Sequence, residues 1–227
     1  MKPPAMLTRG IWIVVAVLAV IGILAVVGRL SDLGRGVGPP SASSIDTGYA
    51  DHPSLTMLHI LPGALFMILG PLQFIRRIRS RALEFHRWSG RVFVISSLVI
   101  GVTALIMGVV MPIGGANETV ATTCFALIFL VAVVRAFIYV RQGNVTRHRE
   151  WMLRAFAVGL AISTIRPIVA LFFALTSLAP QEFFGIAFWL GFSLHLIIAE
   201  IWIQHTRPSG RRPIESRPVV DPKVIGA

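Results

Sequence analysis

Long apolar runs alternate with short polar clusters along this chain. Six stretches are almost free of charge: 11–28, 53–75, 92–117, 119–140 (broken by Arg135), 155–181 (broken by Arg166) and 183–204 (broken by His195 and Glu200). A helix needs about 20 mainly apolar residues to cross a hydrocarbon core of roughly 30 Å. Each run therefore predicts one crossing, and the fold class is all-α, a polytopic bundle of six transmembrane helices. The links at 111–118 and 179–182 are short, which predicts that the third and fourth crossings, and the fifth and sixth, are antiparallel neighbours. Four regions follow: the N-terminal segment and first helix (1–28), an outer loop rich in Gly, Ser and Pro (29–53), a five-helix membrane core (54–204), and a Pro- and Arg-rich tail expected to be disordered and cytoplasmic (205–227). Pro53 suits the first turn of the second crossing, with Asp51 or His52 near its cap.

Composition agrees with a life in lipid. Apolar residues make up 55% of the chain and charged residues 14%, where a soluble domain carries roughly 25% charge. Too little polar surface is present to cover that much apolar surface in water. A cytosolic enzyme, a secreted disulfide scaffold and a disordered chain are excluded. The single cysteine, Cys124, sits in an apolar run and reads as a small hydrophobe. The first helix reads as retained rather than as a signal peptide, since its apolar run is long and no A-x-A-like site follows.

The net charge of +11 acquires its meaning from where the charge lies. All but four of the 21 Lys and Arg residues fall before the first crossing, between the second and third, between the fourth and fifth, or after the sixth. In a six-pass threading these are all on one side. The positive-inside rule then places both termini in the cytoplasm and the protein in the cytoplasmic (inner) membrane. The expected partner of the basic face is the bilayer and its anionic headgroups, not nucleic acid; no protein partner can be read from the residues.

Ionisable groups at membrane depth are costly and mark functional or locking sites. At 1.5 Å of rise per residue, Arg166 lies roughly 12 Å from the outer boundary and His59 about 8 Å below it. They are close enough in height to meet, and Pro167 loosens the helix beside Arg166. His59 with Arg166 is the expected ligand-binding or proton-relay site, and a structural lock between helices is the rival reading. Arg135 and Glu200 both fall about 4–6 Å from the inner boundary and form the expected structural ion pair. His86 and His148 share a level and are the candidate ligands of a haem b, although each precedes an arginine (Arg87, Arg149), as an interfacial anchor also would. His195 lies roughly 18 Å below the outer boundary. Gly63 and Gly70, with Gly101 and Gly108, predict close packing of the second and third crossings. No HExxH, CxxC, P-loop or GxSxG pattern is present, so no metal set and no catalytic residue is assigned.

Two segments echo each other: EFHRWSGR at 84–91 and RHREWMLR at 147–154, each with a His-Arg pair, a tryptophan and a closing arginine. Together with LHILPGALFMILGPLQF (58–74), Arg166 and AEIWI (199–203), these segments resemble a family of bacterial predicted membrane proteins filed as domain of unknown function 2306. The resemblance covers roughly residues 55–204. It implies a polytopic membrane fold with polar marks at His59, Gln73, His86, Arg87, Arg91, His148, Arg154, Arg166 and Glu200, and it implies no activity. The leading expectation is a membrane protein with a polar site at His59 and Arg166. A haem-bearing redox protein and a non-catalytic assembly or interaction factor are the alternatives, and whether the protein is an enzyme stays open.

Overall fold

The computed structural model describes residues 5–34 and 47–207. The tail from 208, the middle of the outer loop (35–46) and residues 1–4 lie outside the described residues, and with them most of the segment expected to be disordered. Six long helices are present: α1 (Ala5–Gly34), α3 (Pro53–Phe74), α5 (Leu83–Val110), α6 (Gly115–Arg141), α7 (Val145–Leu175) and α8 (Pro180–Thr206). All six are long and apolar enough to cross a membrane. Two short helices, α2 (Thr47–Asp51) and α4 (Arg76–Arg81), lie between them, and no strand occurs among the described residues.

The helices outrun the uncharged stretches. α5 begins at Leu83 and α7 at Val145, well before the apolar runs at 92 and 155, because arginines at a helix end reach polar headgroups without interrupting the backbone ladder. At the other end, 115–117 belongs to α6 rather than to the run before it. Glu118 turns the chain there: its Oε2 accepts from the backbone N–H of Ile113 (2.7 Å) and of Gly114. The expected outer loop is also shorter, since α1 continues to Gly34 and α2 occupies 47–51. Pro53 opens α3 at its first turn, with His52 as the cap residue.

α3, α5, α6 and α7 close a ring, each packing on the next, with α7 returning to α3 through aromatic contacts. α1 lies over α3 and α7, and α8 over α6 and α7. The ring is filled by one phenylalanine from each member. Phe66 of α3 stacks on Phe93 of α5 (centroids 4.8 Å apart) and meets Phe129 of α6 at 5.9 Å and Phe156 of α7 at 5.7 Å. All four are buried. Around them α6 presents a small-residue stripe, Ala121, Ala132 and Ala136 among it, all fully buried. Without a hydrophobic drive between helices in lipid, such close van der Waals packing is what holds them together.

The glycines do not pair as expected. α3 and α5 are neighbours, but a Cβ on Gly101 would strike Leu130 and one on Gly108 would stand 2.9 Å from Thr122, so both glycines admit α6 rather than α3. Gly70 makes room for the Phe156 ring and also abuts Phe93 of α5, so it does lie on the expected α3–α5 seam; Gly63 faces open space, and Gly159 of α7 admits Phe66. The small residues serve the aromatic hub and the α5–α6 seam.

Candidate functional site

Two belts of polar contacts flank the aromatic hub, one at each end of the bundle. On the α3–α5 pair they share one antiparallel register: His59 meets Thr103 near one end, and Gln73 meets Ser89 near the other, each through a 2.8 Å hydrogen bond. From 59 to 73 at 1.5 Å per residue is about 21 Å, within the thickness of a hydrocarbon core.

At the end remote from the arginine clusters, the Thr103 hydroxyl donates its one proton to main-chain carbonyls of its own helix, Val99 at 2.7 Å and Ile100 at 3.1 Å. Its oxygen therefore accepts from His59, and that contact puts the imidazole proton on Nδ1. Nε2 of His59 keeps its lone pair. Arg166 of α7 is an electrostatic neighbour of this ring, and its side chain is exposed rather than sunk in the bundle. One turn below it, the Ser163 hydroxyl is buried with no partner, facing Gly22 of α1. A buried orphan hydroxyl is expensive and marks a place for a polar group. One turn above His59, the buried Thr56 donates to the Tyr49 carbonyl of α2 at 3.0 Å, and Arg29 of α1 lies 4.4 Å over the Tyr49 ring. The short α2 thus roofs the site.

The arginine-rich end is more densely linked. Arg154 of α7 clasps Glu200 of α8 through two bonds, one of them 2.9 Å from Nη2. Arg207 clasps Glu150 at 2.9 and 3.1 Å, and hydrogen bonding to that carboxylate holds the Arg207 guanidinium above its ordinary range. Arg149 donates to the Thr206 hydroxyl at 2.8 Å. Arg135 does not pair with Glu200. It lies on the exposed face of α6 with its guanidinium 5.1 Å over the Trp151 ring, which Arg154 also covers at 4.7 Å. Equal depth was the reason to join Arg135 to Glu200, but α6 turns Arg135 outward while α7 presents Arg154 to α8.

His148 approaches the Ala136 carbonyl with Nδ1 at 2.9 Å, so that nitrogen bears the proton and Nε2 is left as an acceptor. His86 of α5 is its electrostatic neighbour, and the His86 Nδ1 is buried without a partner. The two histidines expected at one level thus lie near enough to interact electrostatically. His195 bonds instead to Thr164 at 2.8 Å, within the α7–α8 pair. No group of three or more potential metal ligands occurs among the described residues. Sequence reasoning missed Thr103, Thr56, Glu150 and Arg207; a threonine standing opposite His59 on one antiparallel register was the available signal for the first.

Six apolar crossings bounded by these belts define a multi-pass helical membrane protein. The model of one family, predicted membrane protein (DUF2306), matches residues 56–203, and the chain belongs to that family. No curated protein and no solved structure matches it.

Proposed function

We propose that the protein holds a polar ligand site beneath α2, where Arg166 binds an anionic or carbonyl-bearing ligand and His59 relays a proton. The observation that supports it is the fixed His59 ring: Thr103 occupies Nδ1, so Nε2 is the basic atom, with Arg166 as neighbour. With a ligand oxygen held by the guanidinium, Nε2 would take up a proton from the aqueous phase and hold it toward that oxygen, and the Thr103 oxygen would keep the ring oriented as it becomes cationic. The aromatic hub lies between this site and the other end, so ligand and proton enter and leave on the same side. By the charge rule that side is the outer one, with the arginine-rich end and both termini in the cytoplasm of an inner-membrane protein.

Calorimetric titration of the detergent-purified chain tests this, with ubiquinone-1 as the carbonyl probe and benzoate as the anion. One of the two should bind, and Arg166→Ala should weaken it roughly tenfold or more, the loss expected for one charged hydrogen bond. His59→Gln should retain binding but abolish proton uptake, read as the dependence of the heat on buffer. Binding of neither probe, or equal binding by Arg166→Ala, would count against the site. Loss of folded Arg166→Ala protein would make the arginine a structural lock.

A second reading has its own observation. His148 is anchored through Nδ1 on a carbonyl, which leaves Nε2 as the acceptor, the form in which an imidazole can ligate haem iron, and His86 is its electrostatic neighbour. A Soret band that shifts on reduction, and disappears in His148→Ala, would favour haem b at the arginine-rich end; a featureless spectrum removes it.

A further inference from the structure

The start of α7 and Arg207, the residue just after α8, leave a cleft of about 620 Å³ at the arginine-rich end. Arg147, Arg154 and Arg207 line it against a single carboxylate, Glu150. That carboxylate is already engaged, since both its oxygens accept from Arg207. Glu200 is engaged in the same way by Arg154. Both clasps use Nε and Nη2, which leaves the two N–H bonds of each Nη1 outside them. Arg147 has no carboxylate partner among the described residues. Its Nη1 donates to the Tyr139 hydroxyl at 3.1 Å, and its guanidinium lies 5.5 Å from the centre of that ring.

Beside these cations lies the positive end of a 31-residue helix with no acidic residue in its first turn. Asn144 caps it by accepting from the Arg147 N–H at 3.1 Å, and Thr146 also lines the cleft. With Glu200, which Arg154 clasps, counted beside Glu150, the cleft carries three positive charges against two negative, and Arg147 supplies the excess. Trp151 forms an apolar wall at the depth where tryptophan meets headgroups. A phosphodiester has two anionic oxygens that suit guanidinium forks, and the cleft has room for the group and its glycerol.

We propose that this cleft binds phosphate, and that its occupant is the headgroup of an anionic phospholipid in the adjoining leaflet. A soluble phosphate compound is the other source of the same chemistry. The test is thermal unfolding of the full chain in mild detergent with added phosphatidylglycerol, phosphatidylcholine or inorganic phosphate. A site filled at ten times its dissociation constant raises the midpoint by about 3–6 °C for a chain of this size. Phosphatidylglycerol should give that shift and phosphatidylcholine much less. Arg147→Gln should lose at least half of it, while Arg77→Gln, the same charge change on exposed α4, keeps it. If millimolar phosphate alone reproduces the shift, the site stands with the soluble source. Equal shifts from both lipids with phosphate inert overturn it, and so do equal losses in Arg77→Gln and Arg147→Gln, which would mean diffuse surface charge. Arg147→Lys keeps the charge without the fork and should lose part of the shift. Should Arg147→Gln not fold, an unchanged response in Arg147→Lys overturns the proposal.

Discussion

Phe66→Ala should destabilise the bundle by about 3–5 kcal/mol, the range for deleting a buried phenylalanine without collapse of its surroundings. Collapse is blocked here because the ring's neighbours stand on three other helices: Phe93 on α5, Phe129 on α6 and Phe156 on α7. No single helix can move to fill the space without opening another seam. In lipid the loss is one of packing contacts rather than of hydrophobic burial, and it should be large because packing is the main cohesive term. The adjacent Leu65 is exposed on the surface that lipid covers, so Leu65→Ala should change stability by less than about 0.5 kcal/mol. Helicity followed through denaturant unfolding compares the two. Similar costs would mean that the hub does not hold the ring closed.

The second large effect belongs to Arg154 and Glu200. Their side chains are 16% and 38% exposed, between the surface pairs worth about 0–1 kcal/mol and the buried pairs whose breakage costs 3–5. With two hydrogen bonds, a coupling of about 1–2 kcal/mol is expected from a double-mutant cycle on Arg154→Gln and Glu200→Gln. The cycle on Arg135→Gln and Glu200→Gln should give a coupling below about 0.5 kcal/mol. A larger coupling at Arg135 would reinstate the pair that depth alone suggested.

That contrast shows what one sequence discloses. Depth was legible: at a fixed rise per residue, Arg135 and Glu200 could be set at one level, as could His86 and His148. The direction a residue faces around its helix was not, because almost every position in these helices is apolar and no amphipathic stripe marks the inner face. Hence Glu200 found Arg154 rather than Arg135, and Gly101 and Gly108 faced α6 rather than α3. Helix ends were blurred for a related reason: arginines that bound an apolar run, such as Arg87 and Arg149, lie inside α5 and α7 as readily as outside. At the candidate site the sequence set His59 and Arg166 at similar depth, and the two are electrostatic neighbours. It did not reveal that Thr103 fixes the ring or that α2 covers it, since a hydroxyl among many and a five-residue helix carry no periodic signal.

The threading itself is the foundation: six crossings, with the arginine clusters at one end and the roofed site at the other. Single cysteines at Ser80 on α4 and Thr176 beyond α7, in a Cys124→Ser background, test it in right-side-out vesicles with a membrane-impermeant maleimide. Thr176→Cys should label at once and Ser80→Cys only after permeabilisation. Labelling of Ser80→Cys in sealed vesicles, or of both positions from one side, would contradict it.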